Sequence, residues 1–243
     1  MKVKYKKIKK QTGVSIIYYK KVTSTNQVSK SIEEFPTVVL AKKQTKGKGT
    51  QGRRFISPKG KGIYMSINYS KIPNEYLKYI TPIISVIVSN CIDKHIQHKT
   101  KIKWINDIFL RDKKICGILT EYTDHLIIGI GVNVYKHTFI IKNASSIQNI
   151  TKRKIDINAL INDIIDEVIK TLNYLSIDSI KDLIKEYKEK SMIIGKRIYI
   201  SNEHKEYLVK DIDESCHLVL ENNGTKVLSN ATQYEIIEPY FEN

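Results

Sequence analysis

The 243-residue sequence has only three cysteines, Cys91, Cys116 and Cys216, an odd number at wide spacing. It has no CxxC pair and no His/Cys cluster, so a structural zinc site is not expected. Reduced thiols in a cytoplasmic protein are the simplest reading. No stretch approaches ~18 consecutive apolar residues, which removes a membrane-spanning helix from consideration. The basic segment Met1–Gln11 is not followed by an apolar core and a small-residue cleavage site, so no secretory signal is expected. No repeat of 20–50 residues is visible. Arginine is scarce, at Arg53, Arg54, Arg111, Arg153 and Arg197 among 41 basic residues.

What remains is a chain of ordinary globular composition, 41% hydrophobic and 27% charged, with a net charge of +16. Its length suits one large domain with a small one. The charge invites a nucleic-acid partner. Lysine in the company of many Ile, Asn and Tyr residues also suggests compositional drift. Under either reading the field favours anionic ligands and acidic protein partners.

Hydrophobic patterning predicts strands over 15–19, 37–41, 62–69, 101–104, 108–110, 115–121 and 126–134. Helices are predicted from Ser24 or Thr25 to about Ser31, over 76–98, 156–175 and 178–190. Pro82 is expected near the start of the 76–98 helix. His95 and His98, at its polar end, read as solvated. After Gly195 five short strands follow, at 196–200, 206–212, 217–221, 225–229 and 234–237, with an Asn222-Asn223-Gly224 hairpin signal. Five short strands suggest a small SH3-like barrel. The boundary is placed near Ser191, giving domains 1–190 and 191–243.

Four segments carry possible chemistry. Gly47-Lys48-Gly49-Thr50-Gln51-Gly52-Arg53-Arg54 can cradle an anion with backbone N–H groups and cations, or be a solvated basic loop. It has no GK[ST] ending, which excludes a P-loop. Asn106-Asp107, after Lys103-Trp104-Ile105, can hold Mg²⁺ and phosphate, or simply turn the chain. In Lys113–Glu121, alternation puts Lys114 and Cys116 on one face and Ile115 and Gly117 on the other. In Gly129-Ile130-Gly131-Val132-Asn133 the glycines and Asn133 share a face; this clears a trough for a ligand, or packs against a neighbouring strand.

Taken together, TSTN (23–26), QTKGKGTQGR (44–53), KWIND (103–107), KKICGIL (113–119) and GIGVN (129–133) resemble the biotin–protein ligase family. The resemblance runs from Thr23 to about Asn133, and the small C-terminal β-domain fits the same family. It implies an α+β fold, a mixed-sheet catalytic domain of the biotin/lipoate ligase type with a C-terminal SH3-like β-barrel. It also implies an enzyme that makes biotinyl-AMP from biotin and ATP with Mg²⁺ and transfers biotin to a lysine of a biotin carboxyl carrier domain. A lipoate or octanoate ligase, and a non-catalytic binding module, remain as alternatives. The segment before TSTN is too short for a DNA-binding domain, so the short form without one is expected, with no DNA or membrane partner. A homodimer is expected through sheet edges, with LIIGIGVNV near an edge.

Residue by residue, the resemblance implies that Ser24, Thr25, Asn26 and Gln44 hold biotin. Gly47, Lys48, Gly49, Gly52 and Arg53 fold over biotin and the adenylate. Lys103, Asn106, Asp107 and Asn133 serve the nucleotide, with Asp107 the metal ligand. Lys114 contacts the reacting carboxylate and phosphate, and Gly117, Gly129 and Gly131 line the biotin trough. Lys114, Arg53 and Asp107 form the catalytic set. Three departures stand out: Lys48 and Thr50 replace loop arginines, Ile105 replaces a frequent proline, and Phe55 replaces a frequent tryptophan while keeping a stacking surface. Lysine cannot give a bidentate fork, so looser retention of the adenylate is expected.

Overall fold

The computed structural model describes residues 5–9, 13–139, 143–201, 203–228 and 234–237. In chain order these form β1 (Tyr5–Lys9), β2 (Ser15–Tyr19), α1 (Thr25–Ser29), β3 (Thr37–Ala41), β4 (Gly62–Tyr69) and α2 (Leu77–Ile96). There follow β5 (Lys101–Lys103), β6 (Asp107–Leu110), β7 (Lys113–Tyr122), β8 (Leu126–Asn133), α3 (Ile147–Thr151), α4 (Ile157–Asn173) and α5 (Ile177–Lys190). The last strands are β9 (Arg197–Ile200), β10 (Lys205–Ile212), β11 (Leu218–Glu221), β12 (Thr225–Leu228) and β13 (Tyr234–Ile236).

β1 to β8 make one mixed sheet in the order β1-β2-β3-β4-β8-β7-β6-β5. Only β2 and β3 run parallel, joined through α1; every other pair is antiparallel. α2 packs on this sheet, with α4 and α5 packed against α2. The apolar residues of α2 recur at helical spacing, and Ile83, Ile84, Val86, Val88 and Ile92 are fully buried. Burying each such side chain stabilises the fold by ~1.5–3 kcal/mol. Asp156 caps α4 by accepting from Asn158 N and Ala159 N, and a Ser176/Ser179 capping box starts α5.

Several expectations are corrected. LIIGIGVNV does not lie near an edge: β8 pairs with β4 on one side and β7 on the other, and all eight of its residues are buried. Its near-continuous apolar run is the mark of a central strand covered on both faces. Pro82 is the sixth residue of α2, not its start. His95 is not solvated; its Nε2 lies 2.9 Å from Asp163 Oδ2 on α4, and His98 Nδ1 lies 2.7 Å from Ile96 O. α1 stops at Ser29, where the chain turns off through Ser31, whose N and Oγ both donate to Val28 O, at 3.3 and 3.0 Å.

The five C-terminal strands form an antiparallel sheet in the order β12-β11-β10-β9-β13. Among the described residues no pairing joins β12 to β13, so the sheet is open where a closed barrel was expected. Ser229, expected at the end of β12, lies outside the described residues. This sheet touches the KWIND turn directly: Trp104 Nε1 donates to Cys216 O at 2.9 Å, and Tyr234 OH donates to Trp104 O at 2.7 Å.

Candidate active site

The loop after β3 folds back on itself as a small hairpin. Gly49 N donates to Arg53 O at 2.7 Å and Phe55 N to Gly47 O at 2.9 Å, with a 3-10 turn at Thr50–Gly52. Gly47 is buried beneath it: a Cβ there would meet Phe55 O, Gln44 Nε2 and Ser57 Oγ. Gly52 holds the turn at φ 70°. Neither glycine lines the cavity described below.

That cavity has a volume of about 300 Å³. It gathers Ser24, Thr25, Asn26, Gln44, Lys48, Gly49, Arg53, Phe55, Lys103, Asn106, Asp107, Lys114, Gly117, Gly129, Gly131 and Asn133, all singled out from the sequence. Among the described residues five lining side chains are basic (Lys48, Arg53, Arg54, Lys103, Lys114) and one is acidic, Asp107. Such a wall attracts anions, a carboxylate and a phosphate alike.

The inner end is a continuous polar chain. Gln44 Oε1 accepts from Thr25 N at 2.8 Å and from Thr25 Oγ1 at 3.2 Å, while Gln44 Nε2 donates to Ser57 Oγ at 2.9 Å. Ser66 Oγ lies 2.7 Å from Thr25 Oγ1 and 2.6 Å from Asn26 Oδ1. Asn26 Nδ2 donates to Glu121 Oε2 at 2.8 Å, and Lys30 Nζ pairs with Glu121 Oε1 at 2.8 Å. Burial pushes the Glu121 carboxyl up, but the hydrogen bonds from Lys30 and Asn26 outweigh it and hold the group below its ordinary value. Ser24 occupies the N-cap position of α1, yet its side chain makes no capping bond.

The glycines of β8 make room for protein groups. A Cβ at Gly129 would collide with the Asn26 amide, and one at Gly131 would stand 2.7 Å from the Phe55 ring. The trough cleared by these glycines is thus filled by Asn26 and Phe55. Asn133 is 6% exposed, and its Oδ1 has no hydrogen-bond partner.

The opposite wall comes from β6 and β7. Lys114 Nζ lies 2.6 Å from Asp107 Oδ2. Simple alternation fails here. Phe109 pairs with Lys114 and Ile108 with Cys116, so Ile115 is an extra residue, a β-bulge. The bulge turns Lys114 and Gly117 to the same side, against the expectation that pairs Lys114 with Cys116. A Cβ on Gly117 would lie 3.4 Å from Lys114 Cε and 3.6 Å from Asp107 Oδ1, while Cys116 is fully buried.

The turn between β5 and β6 is fastened to β7 and to α5. Asn106 Nδ2 donates to Ile118 O at 2.6 Å, Ile118 N donates to Asn106 O at 3.0 Å, and Tyr187 OH donates to Ile105 O at 3.1 Å. Lys103 Nζ stands 5.0 Å from the centre of the Tyr234 ring, within cation–π range. Burial lowers the Lys103 ammonium pKa; Asp107 opposes that shift, and Lys114 and Arg53 add to it.

Sequence reasoning missed part of this site. Ser66 and Glu121 hold the polar chain together without facing a recognisable motif. Phe109, Thr138, Phe139, Asn143 and Ala144 close the far wall, with Lys114 N donating to Asn143 O at 2.8 Å. The one available signal for Ser66 was a polar residue in the middle of the apolar strand GIYMSINY. Among the described residues no group of three or more His, Cys, Asp or Glu could cage a metal ion.

A mixed sheet with a Gly-rich basic loop over a cationic cavity defines an α+β anion-handling domain, and residues 17–133 match the Biotin/lipoate A/B protein ligase family. The bifunctional ligase/repressor BirA of Bacillus subtilis is 36% identical over 133 residues, 50% of this chain and 41% of that protein. The chain thus spans less than half the length of that curated relative. The biotin–[acetyl-CoA-carboxylase] ligase of Mycobacterium tuberculosis is 23% identical over 205 residues, 80% of this chain and 76% of that protein. In fold, the biotin protein ligase of Aquifex aeolicus, solved in complex with biotin and ATP, superposes with a TM-score of 0.83 at 23% identity, covering 91% of this chain and 98% of that one.

Proposed function

We propose that the protein is an ATP-dependent biotin–protein ligase. The observation that carries this reading is the pairing, in one cavity, of the polar chain around Gln44 and Asn26 with the Lys114–Asp107 pair under a basic loop. One end offers fixed hydrogen-bonding groups for a compact polar head group such as the biotin ureido ring. The other offers cations where a carboxylate and a phosphate must meet. The named activities of the Bacillus, Mycobacterium and Aquifex relatives support the same choice.

In the first step a carboxylate oxygen of biotin attacks the α-phosphorus of ATP. The bond from that phosphorus to the bridging oxygen of the β-phosphate breaks, and diphosphate leaves. Two unit negative charges ~4 Å apart repel by ~4 kcal/mol at an effective dielectric of ~20. Uncompensated, that slows the reaction roughly a thousandfold. Lys114, Arg53, Lys48 and Lys103 supply the compensation from fixed positions. The unpartnered Asn133 Oδ1 suits an N–H donor such as the adenine amino group. Mg²⁺ is proposed to arrive with the triphosphate. Asp107, the single lining carboxylate among the described residues, fits an ion that keeps waters and substrate phosphates as ligands, and the ion would screen the triphosphate charge.

In the second step an acceptor lysine amine attacks the acyl carbon, the carbon–oxygen bond to phosphate breaks, and AMP leaves. The amine proton goes to Asp107 or to solvent. The acceptor class is a biotin carboxyl carrier domain of a biotin-dependent carboxylase. We further propose a catalytic domain 1–190, a C-terminal SH3-like β-domain 191–243, and a cytoplasmic location, in keeping with three buried free thiols. A homodimer would use β1 or β5, the strands at the sheet's two edges.

Exchange of labelled diphosphate into ATP, driven by biotin, lipoate or octanoate in turn, tests the reading. Exchange with biotin alone is expected. Exchange with lipoate or octanoate instead would move the protein to the sister activity, and none with a folded protein would leave a binding module.

A further inference from the structure

The positive charge of this chain is segregated. Residues 1–74 hold 18 basic and two acidic residues, while residues 75–243 hold 23 of each. The entire net charge of +16 therefore belongs to the first 74 residues. The two acids are Glu33 and Glu34, and Glu34 accepts a hydrogen bond from the Ser15 hydroxyl at the start of β2.

The fold concentrates much of this charge on one end of the sheet. β2 and β3 run parallel, so both finish on the same side, Tyr19 beside Ala41. Each is followed by a lysine pair, Lys20–Lys21 and Lys42–Lys43. Lys42 N donates to Tyr19 O at 2.9 Å, and Gly60 N donates to Lys42 O at 2.9 Å, which brings Lys59 and Lys61 alongside. All six lysines are exposed, and among the described residues none is paired with a carboxylate. Four strand rises of ~3.3 Å place this end ~13 Å from the end that holds Glu34, beyond a Debye length of ~8 Å at physiological salt. The face runs on through exposed Lys46, whose N donates to Thr23 O at 2.8 Å, into the loop whose Lys48 lines the cavity.

We propose that this lysine face docks the acidic surface that surrounds the target lysine of the acceptor protein domain. The inference rests on the ligase reading above. A lysine amine entering a cationic mouth brings its own positive charge and is repelled unless the surface that carries it is negative. Of the 18 basic residues 16 are lysines, which suits a diffuse field better than the bidentate phosphate contacts that arginine gives. That composition, and the continuity of the face with the loop that borders the cavity, favour an acidic protein over a nucleic acid.

The test compares two triple variants of equal net charge. Lys21→Glu/Lys42→Glu/Lys59→Glu alters the face. Lys99→Glu/Lys170→Glu/Lys185→Glu alters exposed lysines elsewhere. Biotin-dependent diphosphate exchange, which needs no acceptor, and biotin transfer to an apo biotin carboxyl carrier domain of acidic surface are measured for both and for the unaltered protein. The expected result is unchanged exchange in all three, with kcat/KM for the carrier domain at least tenfold lower in the face variant only. Raising the salt should erase most of that difference. Equal loss in both variants, or loss of exchange in the face variant, would overturn the proposal. So would tight binding of a short duplex DNA, at physiological salt, that the face variant alone loses. Absence of exchange in the unaltered protein would instead remove the ligase reading, and the docking proposal with it.

Discussion

Lys114 Nζ and Asp107 Oδ2 stand 2.6 Å apart because one extra residue, Ile115, interrupts the pairing of β6 with β7. The bulge turns the lysine into the cavity beside Gly117, where the carboxylate holds it. Lys114→Ala should lower biotin-dependent diphosphate exchange by about two to three orders of magnitude, the scale of losing one fixed charge-stabilising group. Far-UV circular dichroism and the melting temperature should change little, since the ammonium is part-exposed. Normal exchange by this variant would remove Lys114 from the chemistry.

Gly131 faces the ring of Phe55. Gly131→Ala must push that ring aside, so it should raise KM for the ligands that share the cavity by roughly tenfold and destabilise the protein by ~1–3 kcal/mol, the usual cost of overpacking. Phe55→Ala added to it should restore most of the stability. Additive losses in this double-mutant cycle would contradict the contact.

Glu121 acts through Asn26, whose amide it orients. Glu121→Ala should raise KM for biotin while leaving KM for ATP unchanged, and Glu121→Gln should recover part of the loss. The carboxyl is held below its ordinary value, so its contribution to stability is full above a pH of about 4.3 and is lost as pH falls through the lower folded value. Thermal melting between pH 5 and pH 3 should fall less steeply for Glu121→Gln than for the unaltered protein.

Lys103 is held partly buried among other cations, which lowers its pKa. Its charged form therefore costs stability at neutral pH, and that cost lifts only as pH rises through the lowered value. Lys103→Met should raise the melting temperature at neutral pH and raise KM for ATP about tenfold, a loss of function with a gain in stability. A lower melting temperature would show that the cation–π contact with Tyr234 outweighs the burial.

Much of this architecture was readable beforehand. The seven expected strands of the large sheet and the five of the small one all formed, because their alternation and their Gly and Asn punctuation are local signals. Sixteen of the site residues named from motifs line one cavity. What escaped is what periodicity cannot encode. The bulge at Ile115 reversed a facing that strict alternation assigned. The burial of both faces of β8, rather than an edge position, explains its unbroken apolar run. Ser66, Glu121 and Asn143 reach the site only through tertiary pairing, and β1 carries too many lysines to look like a strand. Gly129 and Gly131 were rightly placed on one face, yet the space over them is taken by Asn26 and Phe55.

We propose that this cavity joins biotin to AMP. The most direct measurement incubates the purified protein with ATP, Mg²⁺ and biotin, without any acceptor, and then identifies the small molecule retained by the protein by mass spectrometry. The expected product is biotinyl-AMP, absent without ATP and absent from Lys114→Ala. Retention of unmodified biotin alone, by folded protein in the presence of ATP, would contradict it.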